Sequence, residues 1–289
     1  MEKQPDKKVG GKYGQYRGSL VDRREFLKRV SILTGSAVAT NSALAILETN
    51  YAKADLIPKD DPRLETEDTA YPGATGPIKA KLARPKGKDK LPGVLVIHEN
   101  RALNAHIADV TRRIALEGFV ALVPDALSLV GGTPPEESKA IELIGKLDMP
   151  STIKNFVAAV QYLKTNPMTT GKVGVVGFCW GGAMANQMAV QSPDVQAAVP
   201  YYGRQPAAED VPKIKASLLL HYAGNDEGIN KGITAYEAAL KKASIDYKLF
   251  MYEGAQHAFN NDTSPRYNKE AADLAWTRTI AFLREKLKS

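Results

Sequence analysis

Hydrophobic and polar positions alternate in blocks from residue 78 onward, where short apolar runs are separated by segments of helical periodicity. Residues 91–98, LPGVLVIH, form a nearly continuous apolar run, which is typical of a strand buried on both faces of a parallel sheet. Five more runs predict strands, at residues 119–123, 172–176, 197–201, 217–222 and 247–252. The intervening segments predict helices at residues 107–117, 135–147, 151–164, 181–191, 231–243 and 270–286.

This alternation predicts an α/β protein with one open, mostly parallel sheet and helices on both faces. A single domain at residues 55–289 accommodates it, because α/β domains of over about 200 residues commonly fold as one unit. Ligands of such sheets bind outside the carboxyl ends of the strands. Candidate chemistry is therefore expected in the loops that directly follow strands.

The charge of the chain is unevenly distributed. The formal net charge is +7, which taken alone suggests nucleic-acid binding. Residues 1–54 contain 10 Lys and Arg but only 5 Asp and Glu, so most of the basic excess lies there. The remaining chain is nearly neutral and has neither a basic helix with interleaved aromatic residues nor zinc-ligand spacing. The sequence therefore predicts no nucleic-acid partner and no metal site.

The N-terminal segment, residues 1–54, is similar to a bacterial export signal. Arg23 and Arg24 precede a mildly apolar stretch at residues 30–47, and the tripeptide Ala-Lys-Ala comes directly before Asp55. These features are typical of a secretory signal, and the paired arginines resemble those of twin-arginine signals. We expect export machinery to recognise the segment and the mature chain, from about Asp55, to be periplasmic. The alternatives are an amphipathic helix of the domain and, without a functional signal, a cytoplasmic protein.

The single cysteine, Cys179, excludes an intramolecular disulfide. It is the centre of Gly-Phe-Cys-Trp-Gly at residues 177–181, which fits the G-x-S-x-G nucleophile elbow with cysteine in place of serine. A predicted strand precedes the motif and a predicted helix follows it, and the helix N-terminus favours negative charge on sulfur. The alternative is a buried structural cysteine beside glycines that pack a helix.

Two more polar residues follow predicted strands. Asp226 comes after the strand at residues 217–222, and His257 comes after the strand at residues 247–252. The order nucleophile, acid, histidine is that of α/β-hydrolases, in which the histidine accepts the proton of the nucleophile and the acid orients the histidine. Cys179, Asp226 and His257 are therefore candidate catalytic residues. The alternative for Asp226 is an ordinary turn residue.

An oxyanion hole needs backbone N–H donors, one after the nucleophile and one after an early strand. The amides of Trp180 and Asn100 are the candidates. Glu99 is a candidate for taking or holding the thiol proton, and the alternative is a solvated loop acid. The remaining histidines lie in strand-like runs or at a helix start and are poorer candidates: His98, His106 and His221.

With these residues the sequence resembles the dienelactone hydrolase family, cysteine members of the α/β-hydrolase superfamily. The resemblance covers about residues 91–287 and rests on VLVIHEN, FVALVPDAL, KVGVVGFCWGG, AAVPYYG, AGNDEG and YEGAQHAF. It implies an α/β-hydrolase fold and cleavage of a lactone ester through an acyl-cysteine intermediate, without metal or organic cofactor. It further implies Cys179 as nucleophile, His257 as base, Asp226 as its partner, Glu99 as the carboxylate that contacts the thiol, and oxyanion donors at Asn100 and Trp180.

The departures from the family pattern concern the substrate. Well-studied members hold a substrate carboxylate with two arginines, one after the second strand and one four residues beyond the catalytic histidine. Here the second position is Asn261, and residues 126–164 contain no arginine. The expected partner is a small ester or lactone; the alternatives are a short-chain thioester hydrolase or carboxylesterase without lactone preference, and a non-catalytic thiol redox or binding protein. Arginines from other loops are candidates for the clamp: Arg101, Arg204 and Arg266.

Overall fold

An eight-stranded sheet runs through the part of the chain that the computed structural model describes, residues 56–87 and 89–288. The predicted export segment lies outside these residues. The strands are β1 (Leu64–Pro72), β2 (Pro77–Pro85), β3 (Leu91–Ile97), β4 (Val120–Pro124), β5 (Thr169–Phe178), β6 (Val195–Tyr201), β7 (Ser217–Asn225) and β8 (Tyr247–Gln256). Their order is β1-β2-β4-β3-β5-β6-β7-β8, and all pairs are parallel except β1 with β2 and β2 with β4.

The helices lie close to the positions that the sequence predicts. None of the helices among the described residues is both long and apolar enough to cross a membrane. They are α1 (Ala105–Leu116), α2 (Glu137–Gly145), α3 (Met149–Thr165), α4 (Trp180–Gln191), a short α5 (Glu227–Asn230), α6 (Ile233–Lys242) and α7 (Lys269–Leu287). Two 3₁₀ turns occupy Ser128–Val130 and Ala208–Lys213.

Successive side chains of the central strands enter two separate cores, because neighbouring residues of a strand point to opposite faces of the sheet. In β3, Leu95 and Ile97 pack with α3, α4 and α6, whereas Val94 and Val96 pack with α1 and α7. All four side chains are fully buried. This double burial explains the continuous apolar run, and it confirms the prediction of a mostly parallel sheet with helices on both faces.

The antiparallel hairpin β1–β2 is absent from the sequence-based prediction. It pairs Leu64 with Pro85 and Pro72 with Pro77, and it lies at the edge of the sheet. Most positions of β1, LETEDTAYP, are exposed and polar, because only one side of this edge strand meets the core. Its sequence therefore lacks the apolar signal on which the other strands were identified.

Glycines allow the turn between β5 and α4 to pack tightly. A Cβ atom on Gly177 would lie 1.9 Å from the carbonyl oxygen of Gly181, and one on Gly181 would lie 2.3 Å from the carbonyl oxygen of Ile97. A Cβ atom on Gly182 would likewise overlap the backbone of Gly203, and one on Gly203 would overlap the backbone of Gly182, where α4 packs against the segment after β6. No larger residue fits at these positions unless the backbone moves.

We expect Gly177→Ala to destabilise the protein by about 3 kcal/mol, because the added methyl group overlaps backbone rather than a movable side chain. The matched control is Gly145→Ala at the end of α2, where an added Cβ has no atom within 4 Å and alanine favours the helix. Urea denaturation of both variants measures the difference. Equal stability of the two variants would contradict the packing described for the turn.

Candidate active site

Cys179 occupies the turn between β5 and α4 in a backbone conformation that is rare for any residue but glycine. Its φ is 57° and its ψ is −115°, and its N–H donates to the carbonyl oxygen of Tyr201 at 3.0 Å. Such a conformation costs of order 1–3 kcal/mol and persists only where the surrounding structure enforces it. The close glycine packing supplies that enforcement and leaves the thiol partly accessible at the N-terminus of α4.

Asp226 and His257 meet at the carboxyl ends of β7 and β8. The ring Nδ1 of His257 lies 2.6 Å from Oδ2 of Asp226, so Nδ1–H donates to the carboxylate and the other ring nitrogen is left for a second partner. The carbonyl oxygen of Asp226 accepts from Ile229 and Asn230 at 3.1 and 2.8 Å, which ties the acid to the short helix α5. The acid is thereby oriented toward the histidine.

The pKa of His257 reflects a hydrogen bond with Cys179. Burial by itself lowers the pKa of His257, but the hydrogen bond and charge of Cys179, and then those of Asp226, outweigh burial and raise the pKa to about 9. A histidine paired with a thiol and a carboxylate can accept the proton of the thiol and return it. The structure therefore brings together the three residues that the sequence proposes as nucleophile, base and orienting acid.

Tyr202 packs against His257 and is a site residue that the sequence-based prediction did not include, although it lies in the AAVPYYG motif. It is fully buried, has a φ of 39°, and its ring centroid lies 5.0 Å from that of His257. Burial raises the pKa of Tyr202 well above its usual value, and the negative charges of Glu99 and Cys179 raise it further. Its hydroxyl stays neutral, and both Glu99 and Cys179 act on it electrostatically.

Glu99 is buried, with a relative exposure of only 3%, rather than a solvated loop acid. Its Oε2 accepts from the side-chain amide of Asn261 at 2.8 Å, while its Oε1 has no hydrogen-bond partner among the described residues. The amide orientation of Asn261 is fixed, because its Oδ1 accepts from the N–H and hydroxyl of Thr263 at 3.0 and 2.7 Å. Asn261 can therefore present only its NH₂ group to Glu99.

An ion-pair cluster around Asp262 anchors the loop that carries Asn261. Asp262 accepts from Nδ1 of His106 at 3.0 Å and from the Arg113 guanidinium at 2.6 Å. Burial alone raises the pKa of Asp262, but these two partners outweigh it and lower the pKa to about 2. His106 thus supports the loop and is not directed at Cys179.

His98 fixes the loop that follows β3, where Asn100 is the candidate oxyanion donor. Its Nε2 accepts from the N–H of Ala126 at 3.2 Å, so its Nδ1 carries the proton and donates to the Glu99 carbonyl oxygen at 2.7 Å. Burial lowers the pKa of His98, which keeps it neutral. Its ring stacks on Trp180 with centroids 5.3 Å apart, so one side chain contacts both loops that carry the candidate amides.

One candidate oxyanion amide adjoins Cys179 in the chain, and the other lies in the loop after β3, whose first carbonyl groups pack against Gly181 of α4. Trp180 directly follows Cys179 and begins α4, and Asn100 lies in the loop that His98 and Ala102 fix at the Glu99 carbonyl. Within residues 56–87 and 89–288, no carbonyl or side chain accepts a hydrogen bond from either amide. The two N–H groups are thus available to a substrate oxygen.

The three arginines proposed for a carboxylate clamp are not brought together. Arg101 forms an ion pair with Glu137 of α2 at 2.9 Å. Arg204 is exposed, and Arg266 is exposed at the rim of an open cleft of about 550 Å³ that also borders Asp226 and His257. None of the three forms a hydrogen bond or ion pair with the side chain of Glu99 or Asn261.

The remaining histidine, His221, has a structural setting. It is fully buried, and its ring nitrogens lie 2.9 and 3.0 Å from the hydroxyls of Tyr252 and Thr279. Burial, with a smaller contribution from Arg278, lowers the pKa of His221 to about 3. No group of three or more metal-binding side chains occurs within the described part of the chain.

Comparisons with known proteins show which family this chain resembles. The sequence model of the dienelactone hydrolase family matches residues 78–287. A relative from Saccharolobus solfataricus, named as a carboxymethylenebutenolidase, is 35% identical over 245 residues, which cover 72% of this chain and 93% of the relative. One of the same name from Methylorubrum extorquens is 30% identical and covers 92% of this chain and 96% of the relative. A crystal structure from Klebsiella pneumoniae, assigned as a dienelactone hydrolase, has a TM-score of 0.71 at 24% identity and covers 77% of this chain and 99% of that one.

We expect His257 to make stability depend on pH. Its pKa is raised from about 6.5 in the unfolded chain to about 9, so its stabilising contribution is complete below pH 6.5 and disappears as the pH rises through 9. The free energy of unfolding, measured in urea at pH 6.5 and 9.5, should fall over this interval. His257→Gln should show a smaller fall, and an equal fall in both proteins would contradict the assignment.

We expect His98→Leu to destabilise the protein by about 2 kcal/mol, since leucine leaves the Ala126 N–H without its acceptor. His98→Gln is the matched variant, because its amide oxygen can reach the position of Nε2 and accept from Ala126. Thermal unfolding of the two variants measures the difference. Equal losses in both would show that the hydrogen bond to Ala126 contributes nothing.

Proposed function

Because the chain belongs to the dienelactone hydrolase family and is a hydrolase acting on ester bonds, we propose that it opens lactones or cleaves small carboxylic esters through an acyl-cysteine intermediate. The observation that carries the proposal is the linkage of Asp226, His257 and Cys179 at the nucleophile turn, with 2.6 Å between the acid and Nδ1 of the histidine. This arrangement is the one that nucleophilic catalysis by a thiolate requires.

In the first half of the reaction, Sγ of Cys179 attacks the ester carbonyl carbon and His257 holds the thiol proton. Negative charge develops on the carbonyl oxygen, where the amides of Trp180 and Asn100 supply hydrogen bonds from fixed backbone. The carbon–oxygen bond of the ester then breaks, and His257 gives its proton to the departing alkoxide. For a lactone this hydroxyl remains attached to the acyl group, because the ring has only been opened.

In the second half, water replaces the alcohol as nucleophile. His257 takes a proton from the water as its oxygen attacks the thioester carbon, and the carbon–sulfur bond breaks to release the carboxylic acid. Asp226 keeps Nδ1 of His257 protonated throughout, so that Nε2 is the nitrogen that exchanges protons. Glu99, buried near the same cluster, is the alternative acceptor of the thiol proton, in place of His257.

We expect Cys179→Ala to lower kcat/KM for small activated esters and lactones by about 10⁴-fold while leaving the fold intact. Circular dichroism and the unfolding temperature of the variant provide the folding control. Mass spectrometry of the wild-type protein during turnover should detect an acyl group on Cys179, and Cys179→Ser serves as a size-matched comparison.

Turnover that survives in Cys179→Ala would exclude the acyl-cysteine mechanism. A panel that includes lactones, open-chain esters and thioesters separates lactone opening from general ester or thioester hydrolysis. Oxidation of the thiol without turnover of any substrate would favour the non-catalytic thiol protein instead.

A further inference from the structure

The carboxylate of Glu99 is held in the site by a neutral group. Its Oε2 accepts from the Asn261 amide at 2.8 Å, and the fixed orientation of that amide leaves no other arrangement. Its Oε1 is buried and without a hydrogen-bond partner among the described residues. A buried acceptor in this state favours a ligand that donates a hydrogen bond and disfavours one that can only accept.

The arginines near Glu99 in the chain or behind the Asn261 loop form ion pairs with carboxylates other than Glu99. Arg101 pairs with Glu137, and Arg113 pairs with Asp109 and Asp262. His106 also contacts Asp262, at 3.0 Å. Within residues 56–87 and 89–288, no arginine, lysine or histidine forms an ion pair with Glu99. His257, whose pKa is raised to about 9, is the cation of the site, and its partners are Asp226 and Cys179 rather than Glu99.

Glu99 also lies at the place where an acyl group binds in the proposed mechanism. It directly precedes Asn100, whose amide is a candidate oxyanion donor, and its charge acts on Tyr202 together with that of Cys179. A carboxylate near the scissile bond would meet a like charge in a buried, weakly screening environment. An uncharged substrate avoids this repulsion, and a hydroxyl on it can donate to Oε1.

We propose that Glu99, held by the neutral Asn261, makes the site selective for uncharged lactones and esters and against substrates that carry a carboxylate on the acyl part. This inference rests on the proposed function, since it concerns the substrate of the same site. Glu99 and Asn261 are then specificity-determining residues as well as parts of the hydrolytic site.

Two p-nitrophenyl esters of one acyl chain test the proposal: p-nitrophenyl hydrogen succinate, which is anionic, and p-nitrophenyl methyl succinate, which is neutral. For the wild-type protein, kcat/KM should favour the neutral ester by about tenfold or more, the effect of one weakly screened like-charge contact. In Glu99→Gln the ratio of the two values should fall toward one, because glutamine keeps an acceptor for Asn261 and removes the charge. Using the ratio within each protein cancels a general loss of activity.

The matched control is Glu253→Gln, which removes one negative charge from an exposed position on β8 and should leave the ratio unchanged. Binding of both esters to Cys179→Ala and to the double variant Cys179→Ala with Glu99→Gln, measured by calorimetry, gives the same comparison without turnover. Equal preference in the wild-type protein, a preference for the anionic ester, or an unchanged ratio in Glu99→Gln would overturn the inference. If wild type hydrolyses neither ester, the proposed function fails, and the binding comparison still decides the charge preference.

Discussion

The site depends on one close approach of backbone segments, at the turn between β5 and α4. Gly177, Gly181 and Gly182 allow α4 to begin within contact of β3 and of the segment after β6, where any side chain would collide with a carbonyl group. This packing holds Cys179 in a left-handed conformation that cysteine does not adopt by preference. The conformation in turn places the thiol at a helix N-terminus, between the loops that carry the other candidate residues.

The sequence predicts the strands and helices around the site because their side chains are buried on both faces of the sheet. The same pattern places Cys179, Asp226 and His257 directly after strands, where the parallel topology brings them to one edge. The edge hairpin β1–β2 was not predicted, since β1 is largely polar and exposed, and basic residues interrupt the apolar positions of β2. The contact between Asn261 and Glu99 joins residues 162 positions apart, and no local pattern encodes such a pair.

Two kinds of polar burial occur near the site, and their functions differ. His98, His221 and Asp262 have their polar atoms matched by hydrogen bonds. His98 and Asp262 thereby support loops, whereas His221 joins β7 to β8 and α7. Glu99 is matched on one oxygen only. Because an unsatisfied buried acceptor is costly, it persists where a reaction or a ligand makes use of it.

The exposed hairpin strand β1 has a consequence for association between molecules. An edge strand offers unpaired backbone N–H and C=O groups to any passing strand, and long apolar edges lead to sheet extension and aggregation. In β1 the exposed side chains of Glu65, Glu67 and Asp68 are charged, and two of them form ion pairs with β2, Glu65 with Arg84 and Asp68 with Lys81. A second strand that docks on this edge would have to remove these charged side chains from water, so this border of the sheet resists fibre-like growth.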